Sequence, residues 1–419
     1  MTALTDQRKL ESAVRRAVAQ TPISDIHTHL FPPSHGGLLL WGIDELLTYH
    51  YLVAELFTVA PGEISIEDFW KLPRSRRADL VWEYVFIRHG GLSEAARGVM
   101  TCLSALGLGR ELAKRKLSAI REWFAAQSID KYLPMVFELA GLDYAIMTNN
   151  PFVAAEVEQW HKGSPGHELL KTALRIDPLI LDWSAAARFM RKAGYQSADR
   201  FDPQSADQAR RYLLDWARRL DPLYLAASLP NDFKYPSDSV STRVLDEVVI
   251  PTAGELGIPV ALMIGVRKGV NPALGDGGDG VGVADVSAVQ NLLTAYGGLK
   301  IICTMLSRDN QHELAVLARK FGRLHVEGCW WFCNNPSIIE ETTRMRIELL
   351  GTAFTAQHSD ARVLDQLIYK WAHTRAVLAD VLVDMYRKQH QAGWRATGDE
   401  IRRDARALLG GSFEDFLKK

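Results

Sequence analysis

One short stretch of the sequence has the residue types and spacing to hold a divalent metal: Asp25-Ile26-His27-Thr28-His29-Leu30, followed by Phe31-Pro32-Pro33. Residues 23–30 read as a strand, with apolar Ile23 and Ile26 set among polar positions, and the two prolines stop a helix from following directly. Residues two apart on a strand project from the same face. His27 and His29 therefore stand side by side at a strand end, about 6–7 Å apart along it, and suit one ion as paired nitrogen ligands. A third ligand comes from far along the chain. The apolar run Thr352–Thr355 leads into Ala356-Gln357-His358-Ser359-Asp360-Ala361-Arg362. Asp360 beside the two histidines makes a three-ligand site with open positions for water or substrate. Asp360 also reads as a helix N-cap, because helical sequence follows it. Arg362 carries the forked guanidinium that suits a substrate carboxylate.

For Asp360 to reach His27 and His29, the first and last strands must be neighbours, as they are in a closed barrel. The texture of the chain fits that. After the first strand, residues 42–140 are mostly helical by pattern, with apolar residues at three-and-four spacing over Trp41–Phe57, Ile66–Phe69, Arg77–Arg88, Leu92–Leu106 and Lys114–Ala126. From Asp143 onward short apolar runs alternate with helical stretches: Tyr144–Met147, Thr172–Ile176, Leu223–Leu229, Ile258–Gly265, Lys300–Met305, Arg323–Glu327 and Thr352–Thr355. Together with the histidine strand these predict a (β/α)8 barrel over residues 1–419, one domain with a helical insertion at about 36–140 and C-terminal helices at about 361–419. Chemistry then belongs at the C-terminal ends of the strands.

Composition narrows the function further. The chain has 419 residues, 47% hydrophobic and 24% charged, the balance of a globular protein with a large core. A formal charge of −1 without a basic tail argues against nucleic acid as a partner. Val248–Val266 is broken by Pro251, Glu255 and Pro259, so no apolar run reaches bilayer length and no membrane partner is expected. Residues 1–20 lack a signal-peptide core. Cys102, Cys303, Cys329 and Cys333 lack metal-pair spacing and read as reduced core thiols, so the expected location is the cytoplasm. Homo-oligomerisation stays open.

Several motifs, in order along the chain, resemble the uronate isomerase (glucuronate isomerase) family of the amidohydrolase superfamily. Asp25-Ile26-His27-Thr28-His29-Leu30 resembles the family's Asp-Tyr-His-Cys-His-Leu, and His50-Tyr51 its Asp-His-Tyr. Thr148-Asn149-Asn150-Pro151 is similar to its Thr-Asp-Asp-Pro, and Arg175 falls where the family has a strand-end arginine. Leu306-Ser307-Arg308-Asp309-Asn310 and Gly328-Cys329-Trp330-Trp331-Phe332-Cys333-Asn334 resemble Asn-Pro-Arg-Asp-Asn and Gly-Trp-Trp-Phe-Asn. Ser359-Asp360-Ala361-Arg362 is similar to Thr-Asp-Ser-Arg.

The resemblance implies one divalent metal, usually zinc, on His27, His29 and Asp360, and movement of hydrogen between C1 and C2 of a hexuronate. It implies that Tyr51 and Asp360 share the proton work, that Arg362 holds or polarises the substrate, and that Arg175 is a second carboxylate clamp. By residue type, Arg175 reads equally as a surface arginine paired with Asp177. His50 joins the substrate-binding set. Trp331, within Trp330-Trp331-Phe332, reads as pocket wall or as barrel core. One departure stands out. The family's fifth strand ends in a histidine before Ile-Gly, whereas this chain has Met263-Ile264-Gly265. Met263 transfers no proton, so weak turnover of ordinary uronates is expected, with an apolar group of the true substrate facing Met263. His358 is a replacement from strand eight or a plain loop histidine. The glycine-rich acidic run Asn271–Gly282 reads as a lid or a flexible loop. Asp232 and Lys234 are further polar contacts by position, and His35 and His325 are given no role. Two other classes stay open: a metal-dependent hydrolase or lyase acting on another carboxylate, and a non-catalytic sugar-acid binder.

Overall fold

The computed structural model describes residues 4–419. Its strands are β1 (Ile23–Thr28), β2 (Leu142–Asn149), β3 (Leu170–Arg175), β4 (Leu225–Pro230), β5 (Val260–Arg267), β6 (Gly280–Val281), β7 (Ile301–Met305) and β8 (Leu324–Val326). They pair in parallel in the order β1-β2-β3-β4-β5-β7-β8, and β6 is a short antiparallel addition to β5. Seven parallel strands buried on both faces explain the near-continuous apolar runs that mark them in the sequence.

The predicted eighth strand needs correction. Thr352–Thr355 is not a strand; only Thr355 pairs, in an isolated parallel bridge to Glu327. The ring is closed instead by residues 355–361, through Thr355 N–H to the Val326 carbonyl (3.1 Å), Asp360 N–H to His27 (3.1 Å) and His29 N–H to Ala361 (2.8 Å). Asp360 has φ 51°, which no regular strand accommodates, so the ladder gives way where the chain must aim a carboxylate inward.

The lower interior of the barrel is apolar. Ile26, Ile146, Ala173, Tyr224, Ala261 and Ile302 pack there with Phe413 and Phe416 of the C-terminal helix Ser412–Lys418, which plugs the bottom. The mouth lies at the other end, under the helices between β1 and β2. The helix predicted over Trp41–Phe57 is two, Ile43–Leu47 and His50–Val59, broken at Thr48-Tyr49. That break delivers Tyr49 and His50 to the mouth. Ile129–Ala140 is a further helix with Pro134 inside it, a residue that hides the pattern from a reading by spacing. Among the described residues no helix is long and apolar enough to cross a membrane.

Candidate metal and substrate site

His27 lies at the end of β1 and His29 one residue past it, and both face Asp360 from the closing segment. Asp360 Oδ1 is 3.2 Å from His29 Nε2 and 3.7 Å from His27 Nε2. The three residues offer ligand atoms within 4.8 Å of one another. The hydrogen bonds around His29 settle its tautomer. Thr148 Oγ1 donates its one proton to the Thr28 carbonyl at 3.0 Å and lies 3.1 Å from His29 Nδ1, so Nδ1–H donates to Thr148. Nε2 then presents a lone pair to an Asp360 oxygen, an arrangement that calls for a cation between them. Both nitrogens of His27 and Oδ1 of Asp360 are buried without a hydrogen-bond partner, which makes the same demand. Burial pushes both histidines below their ordinary range, leaving neutral imidazoles ready to ligate. Burial opposes ionisation of Asp360, but its neighbours His29, His27 and Lys370 hold its carboxyl well below the usual range. The residues present fit a divalent ion.

Beside this cluster is a cavity of about 420 Å³ lined by His29, Tyr49, His50, Arg175, Lys268, Trp330, Trp331, Asp360 and Arg362, among others. Its three cations are each matched by an aspartate. Arg175 grips Asp177 through two bonds of 2.7 and 2.8 Å, Arg362 meets Asp276 at 2.6 Å, and Lys268 meets Asp279 at 2.5 Å. The pairing of Arg175 with Asp177 is thus present together with its place on the cavity wall. Asp276 and Asp279 belong to the Asn271–Gly282 run, which lies across the mouth. A Cβ on Gly277 would come within 3.1 Å of the His50 carbonyl, so glycine eases the close approach of the loop there.

Several expectations change. Asp360 does not cap a helix, since the next one begins at Gln366. Met263 does not line the cavity: it is buried in a cluster with Val266, Leu306 and Trp330. The register between β4 and β5 shifts at Gly265, whose φ is 133°, so the strand bulges and continues, and Val266 becomes the wall at that corner. His358 is fully buried, its ring 5.3 Å from that of His27 and tight against Gly328, with no face on the cavity. Tyr51 borders an adjoining cavity of about 250 Å³, with Trp331 as the shared wall. Its hydroxyl is buried without a partner among the described residues, and burial, with the Asp360 carboxylate nearby, holds its pKa well above the ordinary range. Trp331 is pocket wall, Trp330 is both pocket wall and a member of the buried cluster with Met263, and Asp232 and Lys234 lie off the cavity. Residues that the spacing did not single out are Tyr49, hidden in a supposed helix, and Lys268, just past β5. Asp276 and Asp279 belong to the glycine-rich run, whose composition does not show that they pair with Arg362 and Lys268.

The fold and this cluster define the class: a (β/α)8 barrel with a His-x-His and aspartate metal-type centre at the strands' C-terminal mouth. No family model and no curated protein matches the chain. Solved structures do. A uronate isomerase from Bacillus halodurans C-125 is 46% identical, with a TM-score of 0.96, over 100% of this chain and 98% of that one. A uronate isomerase from Thermotoga maritima (16% identity, TM-score 0.76, 99% and 100% covered) shares the fold. So does a glucuronate isomerase from Caulobacter crescentus (17%, 0.73, 99% and 95%). The chain belongs to the uronate isomerase family.

Proposed function

We propose that this protein interconverts an aldohexuronate and the corresponding ketohexuronate, using one zinc ion held by His27, His29 and Asp360. The observation that carries the proposal is the convergence of these three residues on a cavity whose walls offer guanidinium groups. Two imidazole nitrogens and a carboxylate oxygen are a donor set that zinc favours over magnesium or calcium. When bound, the ion supplies positive charge that polarises the substrate's carbonyl and hydroxyl oxygens.

The reaction moves the proton on C2 to C1 and the proton on O2 to O1. Asp360, ionised and on the cavity wall, is the base for the carbon-bound proton. Tyr51, in the adjoining cavity, is assigned the oxygen-bound proton on the family resemblance, supported by its buried hydroxyl, which is unpartnered among the described residues. Arg362, exposed to the cavity and held only by an aspartate of the covering loop, is the carboxylate clamp. Arg175 orients a substrate oxygen, since Asp177 already occupies two of its donors. Trp331 forms the wall between the two cavities, and His50 lines the one beside the metal-type cluster. The expectation of weak turnover rested on Met263 standing where the resembled family has a proton-transferring histidine. Met263 is buried in a cluster with Val266, Leu306 and Trp330, and with the proton work assigned to Asp360 and Tyr51, ordinary uronates are the proposed substrates.

A panel of D-glucuronate, D-galacturonate, lactones and aromatic acids, followed by proton NMR with zinc-loaded protein, tests this. Ketose formation from a uronate is the expected result. Ring opening of a lactone with no uronate turnover would assign the site to a hydrolase.

A further inference from the structure

Asp360 occupies the left-handed region at φ 51°, where an aspartate stays only if its surroundings hold it. The preceding residue shows how. Ser359 is fully buried, and its backbone is tied on both sides. Its N–H donates to Asp25 Oδ1 at 3.0 Å, and its carbonyl accepts from Lys370 Nζ at 2.5 Å and from Asn334 Nδ2 at 3.2 Å. The other oxygen of Asp25 accepts from Trp371 Nε1 at 2.8 Å. Lys370 and Trp371 are consecutive residues of helix Gln366–Gln391, so one turn of that helix grips the segment directly through Lys370 and indirectly through Asp25.

Lys370 is the unusual member. It is 3% exposed, and among the described residues no carboxylate lies within 4.0 Å of its ammonium. Burying an ammonium without a counter-ion is unfavourable, and a methionine of similar length would be tolerated more easily there. Among the described residues the group's one hydrogen-bond acceptor is the carbonyl directly before Asp360. We infer that Lys370, backed by Asp25, is a positioning residue that fixes the Ser359–Asp360 peptide so that the Asp360 carboxylate faces His27 and His29, and thereby sets the affinity for the divalent ion. This rests on the reading that those three residues hold the ion.

The test is zinc affinity by competition with a chromophoric chelator, together with thermal melting of the stripped and zinc-loaded full-length protein. Lys370→Met is the first variant and Asp25→Asn the second, which keeps the inference testable if the first fails to fold. The expected result is a zinc dissociation constant raised about 10–100-fold. The rise in Tm on adding zinc shrinks, while the stripped Lys370→Met protein melts no lower than stripped wild type. A merely structural role would lower both melting temperatures together and leave the affinity alone. Affinities within twofold of wild type in every variant that folds would overturn the inference. The double variant His27→Ala, His29→Ala separates this from the underlying reading: wild-type zinc affinity in that protein would show that the ion is held elsewhere.

Discussion

Glu327 gives the sharpest test of the barrel's upper interior. It follows β8, is 1% exposed, and neither carboxylate oxygen has a hydrogen-bond partner. The nearby Arg346 guanidinium is already committed, donating to the Gly328 carbonyl at 2.7 Å and to Gln311 Oε1 at 2.6 Å. Burial, reinforced by the charges of Asp25 and Asp360 against the opposing Arg346, pushes the Glu327 carboxyl from 4.5 up to about 8. A carboxyl whose pKa rises on folding favours the folded protein at low pH. That advantage is lost as pH climbs from 4.5 towards 8, because the unfolded chain ionises first. Each pH unit in the window costs about 1.4 kcal/mol, so at pH 7 the group costs about 3 kcal/mol relative to pH 4.5. Glu327→Gln keeps the shape and removes the titration. Denaturant unfolding of chelator-stripped protein should show the variant gaining on wild type by about 1.4 kcal/mol per pH unit between pH 5 and 8. Infrared difference spectra of the wild type at pH 6 should contain a protonated carboxyl band that the variant lacks. A stability difference independent of pH, with no such band, would refute the assignment of Glu327 as a neutral acid.

Three further outcomes follow from the site. His27→Ala with His29→Ala should purify without stoichiometric zinc by elemental analysis, and unchanged metal content would remove the proposed centre. Arg362→Met should raise KM for a uronate by at least tenfold, since a charge-assisted bond contributes about 1.5–3 kcal/mol. An unchanged KM would move the carboxylate to Arg175 or Lys268. Met263→His should change kcat less than threefold, because residue 263 is buried in a cluster with Val266, Leu306 and Trp330; a gain of a hundredfold or more would restore the view that Met263 costs the protein a catalytic group.

The barrel and the metal-type cluster were legible because they depend on local rules. Period-two placement puts His27 and His29 on one face, and a barrel makes the first and last strand positions adjacent. What escaped was set by backbone irregularity. The eighth strand dissolves around Asp360 because its left-handed φ breaks the ladder. The bulge at Gly265 brings Val266 to the wall, while Met263, in regular register before it, is buried in a cluster with Val266 and Trp330. The break at Thr48-Tyr49 brings Tyr49 to the cavity and turns Tyr51 to its neighbour, although spacing alone runs one helix through all three. Lys370 carried no motif, since a lysine in a helical stretch reads as solvated surface until the fold buries it.

The central claim is that Asp360, beside His27 and His29, moves a proton within a hexuronate. The direct measurement is turnover of D-glucuronate and D-galacturonate by zinc-loaded wild type and by Asp360→Asn. The expected result is ketose formation by wild type at about 1–10³ s⁻¹ on at least one of them, and a loss of at least a hundredfold in the variant. Wild-type turnover retained by Asp360→Asn, or no uronate turnover by zinc-loaded wild type, would contradict it.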